Sequence, residues 1–273
     1  MTSFSLKEAV ASRRSVRTFS DRPVSEALKQ QLLEYAAGLQ NPLGPKLRIQ
    51  LIETQSAPKG EKLGTYGIIT GAKTYLAVTV PQTAHAAEAV GYEFEQLVLY
   101  AASLGLGTCW LGGTFNRSAF AAQIEIGEQE MFPILSPVGW PQKQRLFEQV
   151  FRRNLKADRR KPWDTLFFDD DFEKPLTPEA AGTYAEPLEL LRQAPSAVNK
   201  QPWRVLRTAD GFHFFQKGGM GGEMDMQRID LGIAVCHFHL SALELGLSGR
   251  LERRCPSVEL PQDLSYVISW ITA

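Results

Sequence analysis

Two stretches, Gly91–Leu106 (GYEFEQLVLYAASLGL) and Gly232–Leu247 (GIAVCHFHLSALELGL), decide the reading of this chain. Aligned at a constant offset of 141 residues (232 minus 91), they match Gly91 with Gly232, Ala101 with Ala242, Leu104 with Leu245, Gly105 with Gly246 and Leu106 with Leu247, and Phe94 meets Val235. Both carry apolar residues at helical spacing over about four turns, and both stop at a glycine suited to a C-terminal cap. An internal echo of this kind gives two halves one plan. The competing explanation is chance likeness between two amphipathic helices, since the helical period is common.

The order upstream of each stretch is shared as well. A helix at Leu32–Gly38 leads through Asn41–Pro45 to a strand at Leu47–Ile52; one at Leu188–Gln193 leads through Ala194–Pro202 to a strand at Trp203–Leu206. Further strands precede the long helices (Tyr75–Val80, Gly211–Gln216) and follow them (Met131–Val138, Tyr266–Ile271). Strands and helices that do not alternate strictly predict an α+β fold, an α/β sandwich in each half with antiparallel or mixed sheets. The expected organisation is a first half over 1–150, a connector over 151–177 within the charged, proline-containing run Gln142–Thr177, and a second half over 178–273. Two pseudo-symmetric halves in one chain then imitate a two-fold dimer.

Thirty Lys and Arg against thirty Asp and Glu leave no net charge, which argues against nucleic acid and anionic membranes as partners. No run nears the roughly 18–20 apolar residues of a membrane span, and Met1–Arg14 lacks a signal peptide's apolar core, so a cytoplasmic location is expected. Cys109, Cys236 and Cys255 are odd in number, without CxxC spacing, which disfavours a disulfide framework. Cys236-His237-Phe238-His239 invites a metal assignment. On a helix, however, His237 and His239 stand about 200° apart and cannot share an ion, so they read as core and no metal is expected.

Chemistry must therefore come from local clusters. Ser12-Arg13-Arg14-Ser15-Val16-Arg17 offers three guanidinium forks and hydroxyls suited to a phosphate, or else a solvated surface face. Ala194-Pro195-Ser196-Ala197-Val198-Asn199-Lys200-Gln201-Pro202-Trp203 is stiffened by proline and presents amides fit for the edge of a flat heteroaromatic ring, or forms a polar turn. In Gly105–Phe115, the pair Gly112-Gly113 lets main-chain N–H groups approach a flat ligand, although Trp110 breaks any GxGxxG pattern. Arg159-Arg160-Lys161-Pro162-Trp163 is a second basic cluster, either converging on the same phosphate or an unrelated patch.

Together with Pro137-Val138-Gly139-Trp140-Pro141, these elements resemble the nitroreductase family of FMN-dependent oxidoreductases over nearly the whole chain. The resemblance implies a nitroreductase-like α/β sandwich, normally a homodimer with two FMN at its interface. Here the arginine motif stands only in the first half and the Pro-Ser loop only in the second. That departure implies the tandem single-chain branch, a monomer with one composite FMN site. Carried over by residue, Arg13, Arg14, Ser15 and Arg17, with Arg159 or Arg160, hold phosphate and ribityl chain. Pro195, Ser196, Ala197, Asn199 and Gln201 line the ring, and the backbone of Leu111, Gly112 or Gly113 faces flavin N5 and O4. Leu63–Gly67 flanks the pocket. The implied activity is ping-pong hydride transfer from NADH or NADPH to a small nitroaromatic or quinone-type acceptor, with no catalytic side chain. The rival classes are an FMN-binding storage or regulatory protein without turnover, and an oxygen-using enzyme that cleaves or dehalogenates.

Overall fold

The computed structural model describes residues 4–54, 64–142, 153, 156–218 and 225–273. The expected boundary at 150–151 and Leu63 of the flanking loop lie outside the described residues. The helices are α1 (Leu6–Ser12), α2 (Glu26–Gly38), α3 (Ala86–Ser103), α4 (Arg117–Ala121), α5 (Pro178–Ala181), α6 (Ala185–Gln193) and α7 (Met226–Glu244). The strands are β1 (Arg48–Glu53), β2 (Thr74–Pro81), β3 (Gly107–Thr108), β4 (Glu130–Gly139), β5 (Phe167–Asp169), β6 (Asp171–Pro175), β7 (Trp203–Thr208), β8 (Gly211–Lys217), β9 (Gly249–Glu252) and β10 (Leu264–Thr272). The fold is α+β, as the order of helices and strands predicts. Among the described residues no helix is long and apolar enough to cross a membrane.

Two compact units divide the chain, neither continuous in sequence. One comprises Ala11–Ala86 and Glu93–Asn154; the other comprises Met1–Val10, Ala87–Tyr92 and Leu155–Ala273. The first holds a four-stranded antiparallel sheet in the order β1-β2-β4-β3. Tyr75 and Ala77 of β2 join Phe19, Phe115, Phe120 and Phe132 in an aromatic core. Strand alternation sends Leu76, Val78 and Val80, all fully buried, to the opposite face. Because both faces are covered, β2 reads as a continuous apolar run.

The other unit holds a six-stranded sheet, β6-β5-β7-β8-β10-β9, mixed because β5 and β7 run parallel. Helix α7 is buried along most of its length, and its Phe238 meets the sheet residues Phe212 and Phe214 at ring centroid distances of 5.6 and 5.1 Å. His237 Nδ1 pairs with the Leu190 carbonyl of α6 (2.9 Å), whereas His239 Nδ1 pairs with Tyr92 Oη (2.6 Å). Their separate partners follow from the angular spacing on α7. Strands β5 and β6 lie within the charged segment read as connector, joined through Asp170 at a left-handed φ of 65°.

Gly91 and Gly232, the first pair in the echo, meet within this unit. A Cβ on Gly91 would stand 2.0 Å from the Ile229 carbonyl oxygen and 2.8 Å from Ile233 N; one on Gly232 would stand 2.1 Å from the Glu88 oxygen and 2.8 Å from Tyr92 N. Glu88 and Ile229, like Tyr92 and Ile233, differ by the same 141 residues. The contact is therefore reciprocal, as at a two-fold axis, and it brings the backbones of α3 and α7 closer than any side chain permits.

Candidate functional site

In the four-stranded unit, residues 15–19 run extended between neighbouring segments. Ser15 bridges Thr108, Thr18 bridges Thr70 and Phe19 bridges Pro141. The Val16 N–H donates to the Thr108 carbonyl (2.8 Å). A Cβ on Gly107 would come within 2.6 Å of Val16 Cγ2, so glycine is what lets the two segments touch. The arginine motif and the glycine turn, 90 residues apart in sequence (107 minus 17), are thus brought together. Ser12, Arg13 and Arg14 line a cleft of about 220 Å³ that is walled on another side by Gly105, Leu106 and Gly107. Ser15 and Arg17 are half-buried, alternate with the buried Val16 and Thr18, and lie outside that lining.

The glycine turn is fixed from two sides. Leu111 exchanges both backbone hydrogen bonds with Leu135 (2.9 and 3.0 Å), so its N–H is spent inside the sheet. Gly112 and Gly113 follow it, outside that pair. The Gly112 carbonyl accepts from Arg117 Nη2 (2.6 Å); Arg117 Nη1 donates to the Phe132 carbonyl, and the guanidinium stacks 4.8 Å from the Phe115 ring centroid. Partial burial pushes the Arg117 pKa down. Asn116 caps α4 by accepting from Ala119 N–H, and its own N–H donates to the Gly64 carbonyl (2.9 Å). The described part of the flanking loop therefore reaches the start of α4.

In the six-stranded unit, the loop Pro195–Trp203 holds three non-glycine residues at left-handed φ: Val198 (44°), Asn199 (57°) and Gln201 (50°). Such backbone is costly and persists only when its surroundings over-determine it. Hydrogen bonds from several directions supply the constraint. Asp230 of α7, 3% exposed, accepts the Ala197 N–H with both carboxylate oxygens (3.0 and 3.2 Å), and Ser196 Oγ accepts the Gln201 N–H (2.9 Å). Asn199 Nδ2 donates to the carbonyls of Lys156 (2.7 Å) and Arg159 (3.0 Å), while Gln201 Oε1 accepts the Lys161 N–H (2.7 Å). Burial pushes the Asp230 carboxyl up to about 8, against the pull of the Ala197 N–H.

This loop thereby draws in the second basic cluster. Arg160 donates to the carbonyls of Gln193 (3.0 Å) and Ala157 (3.0 Å), fastening the segment beside α6. Burial, with Arg204 and Lys217 nearby, pushes the Lys161 pKa down. The amides of Asn199 and Gln201, expected at a ring edge, are hydrogen-bonded to this segment's backbone. Arg117 and Asp230 escaped the sequence reading. The available signals were an arginine just after an Asn N-cap beside Gly112-Gly113, and a single acid inside the apolar run Ile229–Val235.

A protein-family model described as "Putative TM nitroreductase" matches residues 5–242. Among solved structures, one from Thermotoga maritima described as a "putative nitroreductase" is similar over 100% of this chain and 95% of its own, at TM-score 0.64 and 20% identity, which shows a common fold. A structure from Desulfovibrio desulfuricans described as a "putative nitroreductase in complex with fmn" is similar over 54% of this chain and 96% of its own (TM-score 0.41, 23% identity). An FMN-dependent nitroreductase of Clostridium difficile is similar over 51% and 89% (TM-score 0.41, 14% identity). No curated protein matches the chain significantly.

Proposed function

The chain belongs to the nitroreductase family, and from that membership we propose that it is an FMN-dependent oxidoreductase. Hydride from NADH or NADPH is passed to a small electron-poor acceptor of nitroaromatic or quinone type, in ping-pong order. The observation that carries the proposal is the cleft that Arg13 and Arg14 line together with Gly105, Leu106 and Gly107. Two permanent cations and the Ser12 hydroxyl on one side, with glycine backbone on another, suit a phosphate and a slender polyol chain. FMN bound there supplies two-electron hydride chemistry that no side chain offers.

The chain's own residues then bind and orient. Arg13 and Arg14 neutralise the phosphate, with Ser15 and Arg17 on the adjoining half-buried face. The Gly112 and Gly113 N–H groups are the amides of the turn that lie outside the Leu111–Leu135 pair, and they act as fixed donors where negative charge grows. A second set of contacts is assigned to Pro195, Ser196, Ala197, Asn199 and Gln201, with Arg159 and Arg160 beside them. With their amides engaged, Asn199 and Gln201 act chiefly by holding backbone, so the ring meets main chain rather than side-chain amides.

The single occurrence of each motif, consistent with decay of cofactor positions in this chain's plan, motivates a second reading, FMN binding without turnover. One experiment separates the two. Purified protein is expected to be yellow and to bleach within seconds when mixed anaerobically with NADH or NADPH; Arg13→Ala should lower its flavin content at least several-fold. A yellow protein that neither reductant bleaches supports storage. A colourless wild type that takes up no added FMN overturns both.

A further inference from the structure

We propose that Arg117 is a positioning residue that sets both the direction and the donor strength of the Gly113 N–H. The inference rests on the FMN reading for the identity of the ligand, but its geometry stands within one unit of this chain.

No cis peptide bond occurs among the described residues. In a trans peptide the carbonyl and the following N–H point in opposite directions. The Leu111 carbonyl is held by the Leu135 N–H, which turns the Gly112 N–H away from β4. The Gly112 carbonyl is held by Arg117 Nη2 at 2.6 Å, which turns the Gly113 N–H away from the guanidinium. Two consecutive glycines would otherwise be the most freely rotating unit in the turn. Arg117 itself is anchored by the Phe132 carbonyl and by the faces of Phe115 and Phe132, whose centroids lie 4.8 and 5.8 Å away. Gly113 is exposed, and a Cβ there would meet no heavy atom within 4 Å, so the turn leaves room for a neighbour.

Charge adds to direction. Among the described residues no carboxylate is paired with Arg117, and burial alone accounts for the fall in its pKa. A cation on a carbonyl polarises the peptide and makes its N–H a stronger donor. Negative charge developing on a ligand beside Gly113 is therefore stabilised more than the neutral, oxidised form. Arg117 raises the reduction potential at the site without touching the reacting atoms.

The test measures the two-electron midpoint potential of the FMN-loaded protein, and in parallel the Gly113 amide shift in flavin-free protein by NMR. Arg117→Gln is expected to retain FMN while losing about tenfold of its preference for reduced over oxidised flavin, a fall of about 30 mV for a two-electron couple. The Gly113 amide resonance should shift in the same variant. Unchanged potential with flavin bound overturns the proposal. If the wild type takes up no FMN, the FMN reading fails separately, and an unmoved Gly113 amide in Arg117→Gln then overturns this inference by itself. Should Arg117→Gln not fold, Arg117→Lys replaces it, because a single ammonium cannot hold both carbonyls, and the same outcomes decide.

Discussion

His239 shows how one buried side chain ties stability to pH. Its Nδ1 is hydrogen-bonded with the Tyr92 hydroxyl, its ring lies 5.3 Å from that of Trp270, and burial pushes its pKa from the ordinary 6.5 down to about 4. The unfolded chain takes up this proton near pH 6.5, whereas the folded chain resists until about pH 4. Between those values the unfolded state binds more protons, so stability falls as pH drops, by up to roughly 3 kcal/mol, and above pH 6.5 the contribution is complete. Asp230 works in the opposite sense: its raised pKa costs stability as pH rises toward about 8. Comparing His239→Gln with wild type cancels that term. The urea midpoint of the variant should fall less between pH 7 and pH 5 than that of wild type; equal slopes would assign the pH dependence elsewhere. At this scale the arginine motif stands out in the sequence because three guanidinium forks within five residues suit a narrow set of ligands. Asp230 was not, since one acid in an apolar helix declares burial only once its partner, the Ala197 N–H, is known.

The crossing of α3 and α7 is the element on which the internal echo becomes physical. Both Gly91 and Gly232 would place a Cβ about 2 Å from a carbonyl oxygen of the facing helix. Backbone cannot move aside as a side chain can, so the helices must separate and lose packing among residues that are otherwise fully buried. Gly91→Ala is expected to cost about 3 kcal/mol, the upper range for overpacking, and Gly232→Ala a similar amount. Gly38→Ala is the control: no atom lies within 4 Å of its Cβ position, and the substitution at the end of α2 should be neutral or stabilise by about 0.5–1 kcal/mol. Chemical denaturation measures all three, and a Gly91→Ala protein as stable as wild type would refute the close crossing. The long strands and both long helices were readable from period and glycine stops. Strands β5 and β6 were not: at three and five residues, with Asp and Glu among them, they carry too little apolar signal, and pairing of β5 with β7 and of β6 with β5 supplies what the local sequence lacks.

For the whole molecule, the distribution of motifs constrains stoichiometry. The arginine motif and the glycine turn occur once, before residue 114, and the Pro-Ser loop with its basic segment occurs once, after residue 158. We propose that the chain is a duplicated plan fused in tandem, each copy having kept the part the other lost. The supporting observations are the 141-residue echo and its recurrence as a reciprocal backbone contact. A chain so fused carries both motif sets by itself, and is expected to need no second copy. Light scattering is expected to give a mass near 30.4 kDa at micromolar concentration, with flavin released on denaturation at one per chain. A stable species of twice that mass would show that the fused plan still requires a partner. Release of two FMN per chain would show that the halves remained equivalent despite their divergent loops, and that the Pro-Ser loop pattern, absent from Gly38–Pro45, is dispensable.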